Sequence, residues 1–205
     1  MEARGQDALR LGAREDGSDV RDTKRGTLQN MSADFPAGFF DRVEPRGAVT
    51  ALDDAAVAAL RDLYSDLGID GRVLDLGGSP ADLFEVPPDE LVSFTGDPDE
   101  KLPYGDDAFD DVVCSNLVGG FTRPADTFAE VARVLRPAGR FVCTFARETP
   151  VAVRGWASKD DAGRVRIARS YFSLVPAFGA AESDLRTSLT GAGDRLWAVW
   201  AAKKR

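Results

Sequence analysis

The sequence predicts an α/β fold whose sheet is mostly parallel and is closed by an antiparallel hairpin. Three observations predict it: short apolar runs alternate with segments of helical periodicity, turn formers separate them, and the last two apolar runs have no helix between them. Alternating strands and helices give parallel neighbours that are covered on both faces. A chain of 205 residues has room for one such domain with a sizeable core.

The first periodic segment predicts a helix that begins after Asp53 or Asp54. Either carboxylate can accept a hydrogen bond from a free amide of the first turn. Gly68 supplies the stop, because glycine readily adopts the left-handed conformation that ends many helices. The apolar positions recur at helical spacing and are Val57, Leu60, Leu63, Tyr64 and Leu67.

Four later apolar runs predict buried strands. They are residues 71–76, 91–94, 109–116 and 140–145. A helix is predicted over residues 124–135, where Pro124 suits the first turn and residues 137–139 provide the break. A late helix over 156–172 precedes two closing strands, near 180–189 and 196–202, that are joined through 191–194.

The N-terminal region differs in composition from the rest of the chain. Residues 1–33 are polar and aperiodic, which predicts a disordered or loosely attached tail, and leaves residues 34–205 as the folded domain. No apolar run approaches the roughly 20 residues needed to span a bilayer, and the N-terminus lacks the features of a secretory signal. We therefore expect no membrane partner and a cytoplasmic location.

Charge and composition exclude several classes of function. A net charge of -8 argues against a nucleic-acid partner, because such proteins normally present a basic face. The chain has no histidine, which excludes histidine-dependent triads, bases and metal sites. Its two cysteines, Cys114 and Cys143, lie in apolar runs far apart in sequence, which is typical of buried reduced thiols and too few for a structural zinc site.

Three segments in order make the sequence resemble the class I S-adenosylmethionine-dependent methyltransferases, which have a Rossmann-like fold, and most closely their type 11 group. The first is VLDLGG at 73–78, the second is GDPDEKLPY at 96–104 leading into FDDVV at 109–113, and the third is FAEVARVLRPAGRFVCTF at 128–145. The third segment is the most specific, because a glycine-rich turn alone occurs in many Rossmann-like proteins. The resemblance covers roughly residues 70–146.

The resemblance implies a cofactor, S-adenosylmethionine, and a small-molecule methyl acceptor. Open α/β sheets bind ligands outside the carboxyl ends of their strands. In the family, the residues that match Asp75, Gly77 and Gly78 face the methionine portion, and Ser79 follows them in the same turn. Asp97 matches a position that contacts the adenine. Residues 116–118, which include Asn116 and Leu117, match the lining of the cleft. No catalytic residue is implied.

The glycine turn departs from the family pattern. Where the family usually carries further glycines, this sequence has Ser79 and Ala81, whose Cβ atoms restrict positive φ and close approach. Pro80 between them fixes its own φ and removes a backbone donor.

The stretch from Asp75 to Asp97 is also short. The family fits a helix, a strand, a second helix and another strand into it, whereas a single crossover to a parallel strand already needs about 10–12 residues. We predict that one strand and one helix are missing and that residues 91–95 serve as the third strand of the family. Such a deletion removes the acidic residue that binds the ribose in the family. In the alternative, residues 91–95 are the second strand and Asp97 takes the ribose role.

The candidate site residues also have plain structural explanations. Asp75 could cap local amides, Gly77 and Gly78 could serve only a tight turn, and the pair Asp97 and Asp99 is typical of a solvated turn. Aromatic side chains of the late helix and closing strands are more typical of core than of a substrate pocket; they are Trp156, Tyr171, Phe172, Trp197 and Trp200. Three arginines of the late helix could bind an anion or form a solvated face; they are Arg164, Arg166 and Arg169.

Two functions of different classes remain. The first is a methyltransferase acting on a small molecule, and the second is a degenerate, non-catalytic relative that acts as a binding or interaction protein. A nicotinamide-linked enzyme ranks third, because the sequence has no G-x-G-x-x-G fingerprint. A cleft filled by Phe84 or Phe94 would favour the non-catalytic protein.

Overall fold

A mixed sheet of six strands forms the centre of the protein. The computed structural model of the chain describes residues 35–43, 52–77, 81–147, 149–187 and 195–205. The tail predicted at 1–33 and the connection at 191–194 lie outside these residues. From Pro36 onward the described residues belong to one unit. In this described part, no helix is long and apolar enough to cross a membrane.

The first helix, α1, spans Asp54–Leu67 and has both predicted caps. The Asp53 side chain accepts a hydrogen bond from the Ala56 amide at 2.8 Å, and Gly68 ends the helix with a φ of 60°. The predicted apolar face is buried against the sheet, because Leu60, Leu63 and Tyr64 share a core cluster with sheet residues.

The sheet is built from β2 (Arg72–Leu76), β3 (Glu90–Phe94), β4 (Phe109–Ser115), β5 (Leu135–Phe145), β7 (Glu182–Leu185) and β8 (Trp197–Ala202). Its strand order is β3-β2-β4-β5-β8-β7. The first four strands run parallel, and β8 is antiparallel to both of its neighbours. The predicted architecture, parallel with one antiparallel strand near the end, is confirmed. A separate ribbon pairs β1 (Arg42–Val43) with β6 (Ala152–Val153).

The connection from β2 to β3 is shorter than a usual crossover. In its described part, residues 81–89, the only regular element is a 3₁₀ turn at Ala81–Leu83. Residues 95–108 then lead to β4 without a helix or strand. The expected loss of one helix is therefore an underestimate, because neither family helix of this region is present among the described residues.

Because one strand of the family is missing, β3 occupies a different position in the sheet from the one predicted. It lies directly against β2, with Arg72 opposite Glu90 and Leu76 opposite Phe94. This is the place of the second strand in a doubly wound sheet. By position, β3 thus fits the alternative assignment, in which Asp97 follows the second strand.

The second half follows the prediction with two differences. Helix α2 spans Pro124–Val134, and β5 begins at once at Leu135 rather than after the break at 137–139. The predicted late helix is divided into α3 (Arg154–Ala157) and α4 (Asp161–Ser173). The division arises because the Asp160 side chain accepts a hydrogen bond from the Gly163 amide at 2.8 Å and so starts a new helix.

Aromatic side chains fill the core on the α2 and α4 side of the sheet. Phe128 makes edge-to-face contacts with Phe141, Tyr171 and Phe172, at centroid distances of 4.9, 5.8 and 4.8 Å. Trp156 is also fully buried. The expectation that these late aromatics belong to the core is confirmed for Trp156, Tyr171 and Phe172. Both cysteines are free and buried, as predicted.

One buried carboxylate within the sheet gives a pH prediction. Asp111 on β4 is 5% exposed, and burial raises its pKa to about 6, although the Arg140 amide donates to it at 2.8 Å. The unfolded pKa is lower, at about 3.9. Between these two values the folded state holds a proton that the unfolded state has lost, so stability falls as pH rises through this window, and the cost persists above it.

We therefore expect Asp111→Asn to stabilise the protein at pH 8 by about 1–3 kcal/mol and to have a smaller effect at pH 4. The asparagine oxygen can still accept from the Arg140 amide, so the hydrogen bond is retained. Urea unfolding of both proteins at the two pH values measures the difference. An equal effect at both values would show that Asp111 is not the titrating group.

Candidate functional site

The carboxyl ends of four parallel strands form one edge of the sheet. Leu76 of β2 is in register with Phe94 of β3, and Ser115 of β4 is in register with Thr144 of β5. Polar residues and a glycine follow these strand ends. Ligands of open α/β sheets bind along such an edge, so the predicted site residues are carried by the expected part of the fold.

Gly77 follows β2 and is exposed. Its φ of 131° belongs to a region that side chains with a Cβ rarely adopt. A Cβ at this position would also collide with the Leu117 side chain. The Gly77 amide donates to the Phe94 carbonyl at 2.9 Å. The residue therefore offers close backbone approach rather than a free donor. Gly78 and Ser79 lie outside the described residues.

Asp75 lies one residue before the end of β2 and is fully buried. Nearby, the hydroxyls of Tyr64 and Ser115 are 3.0 Å apart. Burial raises the pKa of Tyr64 strongly, and the negative charge of Asp75 adds to this shift. The buried Asp75 and Tyr64 and the half-buried Ser115 thus place polar side chains under the edge. Tyr64 and Ser115 were missed from sequence, because Tyr64 follows the apolar period of α1.

Of the two phenylalanines that could fill the cleft, Phe84 lies in the core, whereas Phe94 ends β3 at the edge itself. Phe84 is stacked on Tyr64 with 4.8 Å between ring centroids and belongs to the core between α1 and the sheet. Phe94 is half-buried and lies under Gly96, where an added Cβ would be 2.6 Å from its ring. The side chain nearest to Gly77 is that of Leu117 instead.

Asp97 and Asp99 take opposite roles although they lie two residues apart. The Asp97 side chain is 44% exposed, accepts from the Asp99 amide at 3.0 Å and pairs with Arg42 at 3.5 Å. Asp99 is 6% exposed and accepts hydrogen bonds from Thr122 and Thr127. Asp97 is thus available to a ligand at the edge, whereas Asp99 is a structural residue.

Asn116 uses its side chain within the fold. Its φ is 58°, its amide donates to the Thr144 carbonyl at 2.8 Å, and its side-chain oxygen accepts from the Ala146 amide at 3.1 Å. These bonds join the ends of β4 and β5. Leu117, half-buried beside Gly77, is the apolar neighbour of the turn.

These residues can hold a cofactor with a small polar end and hydroxyl groups. Gly77 leaves room for close approach, and the exposed carboxylate of Asp97 can accept from hydroxyls at the next strand end. The Arg42 pair does not block this role, because exposed ion pairs contribute only about 0–1 kcal/mol. Among the described residues, no group of three or more Cys, Asp or Glu side chains is placed to hold a metal ion.

Comparison with known proteins agrees with this geometry. Residues 79–143 match the family model described as a methyltransferase domain. The chain is 29% identical over 176 residues to a ubiquinone/menaquinone biosynthesis C-methyltransferase of Paracoccus denitrificans. That alignment covers 86% of this chain and 58% of the relative, so the chain spans less than two thirds of the relative's length.

Two solved structures are among the similar folds. One is a possible histamine N-methyltransferase of Thermotoga maritima, with 12% identity, a TM-score of 0.49 and coverage of 73% of this chain and 90% of that one. The other is the 1,6-didemethyltoxoflavin-N1-methyltransferase of Burkholderia thailandensis with bound S-adenosylhomocysteine, with 15% identity, a TM-score of 0.47 and coverage of 98% and 94%.

The strand order and the glycine turn at the carboxyl edge define a doubly wound α/β protein of the Rossmann-like class. The comparisons add a narrower likeness, because residues 79–143 are similar to a methyltransferase domain and the chain is similar to a C-methyltransferase over most of its length.

Proposed function

We propose that the protein transfers a methyl group from S-adenosylmethionine to a small molecule, with residues 34–205 as the methyltransferase domain. The observation that carries the proposal is the exposed Gly77, at a φ of 131°, directly beside the strand end that leads to the exposed Asp97. The relative from Paracoccus denitrificans is a C-methyltransferase of quinone biosynthesis. Its name supports a small-molecule acceptor.

The proposed cofactor site uses both strand ends and the loop after β4. Gly77 admits the amino-acid end of the cofactor, and Asp97 accepts hydrogen bonds from its hydroxyl or adenine groups. Leu117 supplies an apolar contact over the turn. Asp75 and Asn116 support the site from beneath, since one is buried and the other bonds to the end of β5. Gly78 and Ser79 complete the proposed cofactor-binding set.

The chemistry asks little of the protein beyond binding and orientation. When bound, S-adenosylmethionine supplies a methyl group on a positively charged sulfonium. The protein then has to hold the acceptor in line with that methyl group, and such positioning can lower a barrier by several kcal/mol. We assign no general base.

One observation favours the non-catalytic alternative. In the described residues 81–89, the glycine turn is followed by a 3₁₀ turn instead of an α-helix. The edge therefore lacks, in this described stretch, the helix N-terminus that supports polar ligand groups in many Rossmann-like sites. A protein with this loss could retain the fold and a ligand without catalysing transfer.

Calorimetric titration with S-adenosylmethionine and S-adenosylhomocysteine tests the proposal. We expect both ligands to release or absorb heat on binding and to raise the melting temperature, because a ligand that binds only the folded state stabilises it. Absence of heat and of any thermal shift at millimolar ligand would contradict the proposed function. Binding of both ligands to a protein that transfers methyl to no acceptor would favour the non-catalytic alternative.

A further inference from the structure

A cavity of about 650 Å³ lies at the carboxyl end of β5. Arg147, two residues after β5, forms one wall, and Arg195, two residues before β8, forms another. Phe145 of β5 is in register with Trp197 of β8, so both walls lie at the edge that carries Gly77. Because β2 and β5 are two strands apart, their ends are separated by about 10 Å.

The cavity is cationic, although the whole chain carries a net charge of -8. Its lining includes two carboxylates and four cationic side chains, namely Asp160, Asp161, Arg147, Lys159, Arg164 and Arg195. Both carboxylates are already engaged. Asp160 caps α4 through the Gly163 amide at 2.8 Å, and Asp161 pairs with Arg195 at 3.4 Å. Within the described residues, the other three cations have no carboxylate partner.

Arg164 contributes a guanidinium group that is only partly satisfied. Its Nη1 donates to the Arg147 carbonyl at 2.6 Å, and its guanidinium lies 5.8 Å from the Trp156 ring centroid. Its Nε is buried and has no hydrogen-bond partner among the described residues. Burial lowers the pKa of Arg164, and the charge of Arg147 adds to the effect while Asp161 opposes it. An anion in the cavity would supply the missing negative charge and an acceptor for the accessible side of the guanidinium group.

We propose that this cavity binds an oxyanion, a carboxylate or phosphate group carried by a small molecule, through Arg164, Arg147 and Lys159. Guanidinium groups bind such oxyanions with two parallel hydrogen bonds, which a planar fork favours. The cavity lies on the same edge of the sheet as the proposed cofactor site, so we infer that the anion is a group of the methyl acceptor. This assignment to the acceptor rests on the proposed function. Binding of the anion itself does not depend on it.

The test uses the full chain without cofactor. Inorganic phosphate and benzoate are titrated separately while the side-chain Nε–H resonance of Arg164 is followed by NMR, with Arg164→Gln providing the assignment. We expect one of the two anions to shift this resonance in a saturable manner, and the comparison between them distinguishes a phosphate from a carboxylate. Calorimetry should show that Arg164→Gln lowers the affinity for that anion by about tenfold or more.

Two further variants make the result specific. Arg169→Gln, on the same helix but exposed and outside the cavity, should bind the anion like the native protein. Arg147→Gln, at an exposed position, should lower the affinity for the anion. It provides a second variant if Arg164→Gln fails to fold. Equal affinity of the Arg164→Gln and Arg169→Gln variants, or no shift with either anion, would overturn the proposal.

Titration with S-adenosylhomocysteine separates this proposal from the proposed function. We expect Arg164→Gln to bind S-adenosylhomocysteine with unchanged affinity, because Arg164 on α4 lines the cavity at the end of β5, whereas the proposed cofactor site lies at the ends of β2 and β3 and in the loop after β4. If the anion binds and S-adenosylhomocysteine does not, the result supports the oxyanion site and contradicts the proposed function. The reverse result would retain the proposed function and overturn the site.

Discussion

Replacement of Asp99 by asparagine is expected to lower the free energy of unfolding by about 2–4 kcal/mol, whereas Asp97→Asn should change it by less than about 0.5 kcal/mol. The two residues are neighbours in one loop but differ in burial. Asp99 is 6% exposed, and Asp97 is exposed at the edge of the sheet. Chemical denaturation of the two variants at pH 7 measures both values.

The large effect of Asp99 follows from its hydrogen bonds to the start of α2. Its carboxylate accepts from the Thr122 amide at 2.8 Å, the Thr122 hydroxyl at 2.5 Å and the Thr127 hydroxyl at 2.7 Å. Arg123, at the N-cap of α2, makes no side-chain cap bond. Asp99 therefore joins a distant loop to the residues just before α2 and to its first turn, where a negative charge is favourable at the helix N-terminus. An asparagine presents an amide group to one side of this donor set.

The pH dependence gives an independent check. Burial opposes ionisation of Asp99, but the hydrogen bonds from Thr122 and Thr127 outweigh it and lower its pKa. A lowered pKa in the folded state means that the stabilisation is present above the unfolded pKa and is lost as pH falls through the folded value. The difference between the native protein and Asp99→Asn should therefore shrink in acid. A constant difference would exclude the charged form as its cause.

Asp97→Asn separates stability from ligand binding in the same loop. If Asp97 accepts hydrogen bonds from the cofactor, Asp97→Asn lowers the affinity for S-adenosylhomocysteine. The free energy of unfolding of the variant stays almost unchanged. Asp99→Asn is expected to lower stability. It should change the affinity for S-adenosylhomocysteine only indirectly, through a change in the loop that carries Asp97. Unchanged affinity of Asp97→Asn would remove Asp97 from the proposed site.

Local patterns were sufficient to predict most of the fold. The caps of α1 could be predicted because Asp53 and Gly68 act on amides within a few residues of themselves. The division of the late helix at Asp160 carried the same kind of signal, and the prediction missed it because the aromatic and arginine period continued across the break. The short stretch before Asp97 predicted a missing strand from length alone.

Tertiary pairing decided what the sequence could not predict. The pattern around Asp97 and Asp99 is symmetric, and only contacts with Thr122 and Thr127 make one residue buried. Asn116 similarly bonds to the Ala146 amide, 30 residues away. The position of β3 beside β2 depends on which strands remain to pair, which no local pattern contains. Sequence therefore indicated the edge that carries the site but not the role of each side chain there.

Gly77→Ala is expected to reduce S-adenosylhomocysteine affinity by at least about tenfold and to lower the unfolding free energy by about 1–3 kcal/mol. Two physical causes act together. A φ of 131° strains any residue with a Cβ, and the added Cβ collides with Leu117. Calorimetry with S-adenosylhomocysteine and chemical denaturation measure the two effects.

A double mutant and a second glycine separate these causes. Leu117→Ala combined with Gly77→Ala removes the collision but leaves the strained φ, so stability should recover only in part. Gly68→Ala is a matched control, because Gly68 also has a positive φ, 60°, but a Cβ added there would meet nothing within 4 Å, and Gly68 ends α1 before β2 begins. It should cost about 1 kcal/mol of stability and leave the affinity for S-adenosylhomocysteine unchanged. If Gly77→Ala instead binds S-adenosylhomocysteine like the native protein, the cofactor is not held at this turn, and the proposed site has to be moved along the edge towards β4 and β5.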